Sequence, residues 1–135
     1  MEIICLDTNV LIAHKRAKKN DKDKTFLYQL TLESYSFSVS IITVYELLRG
    51  DNTNENLYWK AMFSNMTILP FDYNCAEQAA KIYKDLKQKG QLIETEDLLI
   101  GATALQHNLR LATGNVKHFE RINGLVLLQD TKLAS

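Results

Sequence analysis

The sequence predicts an α/β fold in which helices cover a mainly parallel sheet. Two patterns carry that reading. Short apolar runs of strand length alternate with longer stretches of helical spacing, in the order β-α-α-β-α-α-β-α-α-β-β. The first run, Ile3 to Leu6, is apolar throughout and ends on a turn signal, as a strand buried on both faces does. A chain of 135 residues is long enough for a real core, and residues 1–135 read as one domain.

After the opening strand come Asp7, Thr8 and Asn9, then a helix beginning near Val10. The segment His14 to Lys24 carries six basic residues against two acids and has no apolar face. It reads either as a solvated loop or frayed helix end, or as a basic lip for phosphates. Residues 25–33 have rough helical spacing through Phe26, Leu27, Leu30 and Leu32. Ser36 to Ser40 alternates as a second strand. Thr43 and Glu46 have capping-box spacing, and Gly50 suits a helix stop, so a short helix is expected over 43–49. Asn54 to Ser64 is helical, with Leu57 and Ala61 on one side and Trp59 and Phe63 on another. Thr67 to Leu69 is a third strand, ended by Pro70.

A longer helix is expected from a cap at Asn74 to about Lys89, with Ala76, Ala79, Ala80, Ile82, Tyr83 and Leu86 inward. Gly90 would end it. The next helix opens with Glu96 and Asp97 and is apolar on all sides from Leu98 to Leu105, so it is buried rather than amphipathic. Its Gly101, Ala102 and Ala104 would let another element approach closely. Leu109 to Thr113 and Leu125 to Leu128 are the fourth and fifth strands, separated by a loop with a helical turn at His118 and Phe119. The tail after Asp130 is expected to fray.

Composition narrows the function classes only a little. The 46% apolar and 24% charged content is ordinary for a globular protein. Lys+Arg and Asp+Glu both number 16, so net charge gives no sign of a polyanionic partner. No signal peptide and no apolar run of about 18 residues is present, so a cytoplasmic, non-membrane protein is expected. Cys5 and Cys75 have no metal-type spacing and read as buried free thiols of a reducing compartment.

The chemistry is suggested by acids in comparable places. Asp7 follows the first strand, Glu46 lies in the helix after the second, Asp97 opens the buried helix, and Thr113 and Asn115 follow the fourth strand. Open α/β sheets bind ligands at strand C-termini, so one pocket would gather them. Facing carboxylates repel unless cations lie between them. Hard oxygen donors with few nitrogen or sulfur partners favour Mg²⁺ or Mn²⁺, a metal route to phosphodiester hydrolysis. Each acid also has a local explanation. Asp7 or Thr8 caps a helix, Glu46 completes a capping box, and Asp97 complements a helix dipole.

Four segments together resemble the PIN-domain ribonucleases, specifically the VapC toxins of toxin–antitoxin pairs. They are Leu6–Ile12 with Asp7 and Asn9, Thr43–Gly50 with Glu46, Glu96–Leu105 with Asp97, and Leu111–Phe119 with Thr113 and Asn115. The likeness spans nearly the whole chain. It implies a three-layer α/β/α domain with a five-stranded sheet in the order 3-2-1-4-5. It implies Mg²⁺- or Mn²⁺-dependent endonucleolytic cleavage of structured RNA, such as tRNA or rRNA, at exposed loops. It also implies a homodimer and inhibition by a small VapB-type antitoxin. By motif, Asp7, Glu46 and Asp97 take the first three acidic positions, with Asp7 and Asp97 the chief metal ligands and Glu46 a ligand or water-positioner. Asn9 and Thr113 support them, and Asn115 takes the fourth motif. Lys15, Arg16, Lys18 and Lys19 are the candidate RNA contacts.

The pattern departs from the family in two places. The fourth position is often Asp and here is Asn115, and His118 stands where many members carry an acid. One metal or two is left open, as is whether Glu94 or Glu96 faces inward beside Asp97. His14 and His107 read as surface or helix-end residues. Two other functions compete. A phosphatase with Asp7 as nucleophile would resemble the haloacid-dehalogenase type, but Asn9 replaces the acid needed two residues on. A degenerate PIN module would bind RNA or protein without cutting; the intact Asp7, Glu46 and Asp97 argue against it.

Overall fold

The computed structural model describes residues 1–50 and 53–130. The strands are β1 (Glu2–Leu6), β2 (Tyr35–Ser40), β3 (Thr67–Leu69), β4 (Leu111–Thr113) and β5 (Leu127–Gln129). They form one parallel sheet in the order β3-β2-β1-β4-β5, the expected order. The helices are α1 (Thr8–Arg16), α2 (Phe26–Thr31), α3 (Ile41–Leu48), α4 (Thr53–Phe63), α5 (Tyr73–Gln88), α6 (Thr95–Gln106) and α7 (Val116–Phe119). The expectation for the tail after Asp130 lies outside the described residues.

Period-two alternation sends strand residues to two separate apolar layers. Ile4, Leu6, Val39 and Ala112 pack with Val10, Leu11, Leu27, Trp59 and Phe63 from α1, α2 and α4. Cys5 and Leu111 face the other way, onto Ala79, Ile82 and Leu86 of α5, onto Ile100 and Ala104 of α6, and onto Phe119. Cys5 and Cys75 are both buried free thiols, and burial pushes the Cys5 thiol up to about 12. Arg110 clamps the end of the sheet away from the strand C-termini. Its Nε and Nη2 each donate to Glu2 at 2.8 Å, and Nη2 also reaches Tyr35 Oη at 3.1 Å.

Several boundaries differ from the sequence expectation, each for a local reason. The chain passes from β2 directly into α3, so the strand's last residue supplies the cap. Ser40 Oγ accepts from Thr43 N at 3.1 Å, and no Thr43–Glu46 capping box forms. The cap of α5 is Asp72, whose Oδ1 accepts from Cys75 N at 2.9 Å, not Asn74. In that register Cys75, Ala79, Ile82 and Leu86 point inward, and Ala76, Ala80 and Tyr83 face solvent. Gly90 does end this helix, with a φ of 67° that other residues adopt at a cost.

β4 starts at Leu111 because Leu109 N bonds Ala104 O across a left-handed Asn108, closing α6. β5 starts at Leu127 because Leu125 N is spent on Ile122 O in a turn. The basic segment is not a plain loop. α1 runs to Arg16, Lys19–Lys24 forms a 3₁₀ helix, and Lys22 Nζ folds back onto His14 O and Lys15 O. A lysine there satisfies orphan carbonyls at the α1 C-terminus.

Helix α6 is buried as expected. A Cβ on Gly101 would run into Ile122 Cδ1, with Phe119 next nearest, so the element approaching the small-residue face is α7 and the turn after it. Among the described residues no helix is long and apolar enough to cross a membrane.

Candidate active site

The sheet order places β1 and β4 side by side, with α1 leaving β1 and α7 leaving β4. Chains departing from neighbouring strands to opposite sides open a crevice at the strand C-termini. Asp7 sits there with 3% exposure, and its backbone N bonds Ala112 O at 2.9 Å. Its Oδ1 accepts from Thr8 N at 2.8 Å, and its Oδ2 accepts from Thr113 Oγ1 at 2.8 Å. Asp7 therefore caps α1 and faces the crevice at once. Burial raises its carboxyl to about 6. The Thr113 hydrogen bond opposes that, the Asp97 charge adds to it, the Thr8 amide opposes it, and the Glu46 charge adds to it.

The remaining candidates attach to this carboxylate in two branches. In the first, Thr113 Oγ1 accepts from Asn115 N at 2.8 Å while donating to Asp7. The Asn115 side chain reaches Asp97 Oδ2 at 3.5 Å and His118 Nδ1 at 2.8 Å, and His118 Nδ1 lies 3.2 Å from Asp97 Oδ2. Asn9 Oδ1 accepts from Gly114 N at 3.3 Å, tying the start of α1 to the turn after β4.

The second branch runs through Thr8. Its Oγ1 lies 2.7 Å from Glu46 Oε1 and 3.0 Å from Thr43 Oγ1. A carboxylate only accepts, so the single Thr8 proton goes to Glu46 and Thr43 fills the other contact. Ser40 Oγ lies 3.3 Å from Thr43 Oγ1. Arg49 Nη2 stands 3.9 Å from Glu46 Oε2, a loose pair on the rim. Glu94 is exposed and Glu96 half-buried, and neither is among the charges acting on Asp7.

Among the described residues no three His, Cys, Asp or Glu side chains lie close enough together to hold a metal ion. Glu46 is turned to Thr8, and Asp97 to Asn115 and His118. In sequence Thr8 reads only as a possible cap, and neither the Ser40–Thr43–Thr8 hydroxyl chain nor the contact between His118 and Asp97 has a local pattern to show it. His14 is a helix-end residue, in the last turn of α1, and a ring nitrogen lies 2.6 Å from Thr25 Oγ1.

The basic segment approaches the site at one end. Lys15 and Arg16 line a cleft of about 210 Å³ together with Glu46, Glu55 and Trp59. Lys15 Nζ pairs with Glu55 at 3.4 Å and lies over the Tyr58 ring, while Arg16, Lys18 and Lys19 are exposed.

A parallel α/β/α sheet with carboxylates gathered at its switch point defines a PIN-type domain, and the PIN domain family model matches residues 4–125. Ribonuclease VapC1 of Rickettsia felis is 36% identical over 93% of this chain and 94% of its own length. Ribonuclease VapC1 of Methanocaldococcus jannaschii is 34% identical over 88% of this chain and 80% of its own. Among solved structures, VapBC2 from Rickettsia felis, bound to a DNA fragment from their promoter, contains a chain that superposes with a TM-score of 0.78. That match has 26% identity and covers 95% of this chain and 98% of that one. The chain belongs to the PIN-domain family, among the VapC ribonucleases.

Proposed function

We propose that this chain is a divalent-cation-dependent endoribonuclease toxin. It hydrolyses phosphodiester bonds in exposed tRNA or rRNA loops, and a VapB-type antitoxin holds it in check. Residues 1–135 act as one PIN domain, working as a homodimer in the cytoplasm. The observation that carries the reading is the buried Asp7 carboxylate. It is held by neutral donors only and lies within the field of two further acids. The ribonuclease names of the relatives and the toxin–antitoxin complex among the structural neighbours support the RNA substrate and the partner.

The residues fit a hard cation. The carboxylates of Asp7 and Asp97 are of the kind such an ion takes, since Mg²⁺ commonly takes one or two carboxylates and leaves its other positions to water and substrate phosphate. Asp7 and Asp97 would hold the ion, with Glu46 behind them. When bound, such an ion neutralises developing charge on the phosphodiester and makes water a better nucleophile. Thr113 fixes the outer oxygen of Asp7, and Asn115, anchored through its backbone N on Thr113, sits between Asp7 and Asp97. Thr8 holds Glu46 at the crevice edge, where it orients water beside the scissile bond. The purified protein should cut RNA in Mg²⁺ and stop in EDTA. Saturating Mg²⁺ or Mn²⁺ should raise its melting temperature, since an ion at about 100 times its Kd adds roughly 2.7 kcal/mol. Cutting that persists in EDTA would refute the reading.

Lys15, Arg16, Lys18 and Lys19 serve affinity rather than chemistry. Neutralising all four should weaken RNA binding and flatten its salt dependence by up to about three to four released counterions. Cleavage of saturating RNA should change little. Filter binding at several salt concentrations in Ca²⁺ checks this. An unaltered slope would return the segment to a purely structural role, which Lys22 already has.

A further inference from the structure

We propose that Tyr45 and Arg49 of α3 form a nucleotide subsite at the mouth of the crevice, in which the tyrosine ring stacks an unpaired RNA base and the guanidinium holds that nucleotide's phosphate. The proposal rests on the ribonuclease reading, and it names two residues that set which RNA strands the crevice accepts.

Arg49 closes α3 one helical turn after Tyr45 and Glu46, so its side chain stands beside both. Its guanidinium lies over the Tyr45 ring, 5.4 Å from the centroid, and Nη2 is 3.9 Å from Glu46 Oε2. The Tyr45 hydroxyl, then the charges of Glu46 and of Glu96 in the first turn of α6, favour the charged form of Arg49. The guanidinium thus stands at the edge of the crevice that Glu46 borders. Both side chains are open to solvent, Tyr45 at 58% exposure and Arg49 at 51%. With more than half of its surface in water, the ring has a face left for a base.

An RNA strand entering this crevice meets Asp7, Glu46 and Asp97, which repel its phosphates. Cations beside those acids must offset the repulsion. Lys22 is bound to His14 O and Lys15 O, and Lys15 is paired with Glu55. Arg49 instead pairs with a crevice acid, and at 3.9 Å that pair is too long to occupy its fork. The fork carries five N–H donors, and a phosphate takes two of them side by side. Every base has a π-face, so stacking on Tyr45 tolerates any base, but it demands one that is out of a duplex. The subsite therefore selects unpaired nucleotides in exposed loops rather than a fixed sequence.

The test uses the full chain, with Ca²⁺ present to suppress cleavage and binding read on filters. The probes are RNA hairpins with loops of mixed sequence, and versions of them that each lack one loop base. Wild type should bind one such abasic RNA on the order of 10-fold more weakly than the intact hairpin. Tyr45→Leu should bind the intact hairpin more weakly by a similar factor and no longer distinguish that abasic RNA from it, whereas Tyr45→Phe should behave as wild type. Arg49→Gln should weaken binding to every probe and lower the salt slope by about 0.7, while Tyr45→Leu leaves the slope unchanged. Melting temperatures should match wild type, since both side chains are exposed. Three results overturn the subsite while RNA cutting by wild type in Mg²⁺ leaves the ribonuclease reading standing. They are wild type that binds every abasic RNA like the intact hairpin, Tyr45→Leu that still distinguishes one, and Arg49→Gln with the wild-type slope. Wild type that binds none of the hairpins and cuts no cellular RNA overturns both.

Discussion

Asp7→Asn is expected to abolish RNA cleavage and, at neutral pH without metal, to raise the melting temperature. The loss should be about 100-fold or more, the scale seen when a group stabilising transition-state charge is removed. The stability gain follows from burial. The folded protein holds this carboxyl at about 6 against 3.8 for an unperturbed one, so the fold binds the proton more tightly than the unfolded chain does. Asp7 therefore favours folding below about pH 4, and that contribution is lost as pH rises through 6. At pH 7 the ionised group costs on the order of 3 kcal/mol. An amide at this place still accepts from Thr8 N, but its amine faces Thr113 Oγ1 and leaves that hydroxyl's proton without its acceptor. The expected net gain is therefore about 1–2 kcal/mol. Thermal denaturation in EDTA at pH 7 and pH 4 should show the gain at the first pH and little at the second. Wild-type cutting rates, or a lower melting temperature at pH 7, would show that Asp7 does not have this role.

Phe119→Ala should be the most destabilising of the substitutions considered, at about 3–5 kcal/mol. The ring is fully buried and packs under α6 beside Gly101, where the helix surface is flat. It also carries function, because α7 has only one turn and holds its position through this side chain. Asn115 precedes that turn and His118 lies within it, so the variant should bind Mn²⁺ more weakly even where it is still folded. Phe119→Leu should recover more than half of the lost stability. Urea denaturation measures the first effect and calorimetry the second. A cost below about 1 kcal/mol would mean that other contacts hold α7.

The parts of the molecule legible in the sequence are those set by apolar periodicity. Ile3 to Leu6 reads as a buried strand; Ile4 to Leu6 are buried and Ile3 is exposed, and Asp7, directly after them, lies at the strand's C-terminal end. The boundaries that shifted depend on competition between equivalent signals. Asp72 and Asn74 are both good caps, and only the burial of Cys75 decides between them. Leu109 and Leu125 extend apolar runs, yet backbone turns at Asn108 and Gly124 withdraw them from the sheet. Thr8 and Thr43 read as helix-start residues and Ser40 as a strand end, because a hydroxyl that caps and one that positions a carboxylate look the same in sequence. Lys22 was hidden in a charge run, which carries no sign of direction. His118 meets Asp97 across 21 positions, and no local pattern reports such a contact.

The central pairing of β1 with β4 joins Cys5 to Leu111 and Leu6 to Ala112. Asp7 is made well before Thr113 and Asn115, which follow it in the chain by more than a hundred residues. Contacts so far apart in the chain form late, since loop closure precedes any gain from pairing. A growing chain that still lacks β4 has a first carboxylate with no Thr113 to fix it and no Asn115 beside it. The order in which the chain is made thus withholds half of the carboxylate's surroundings until β4 has paired.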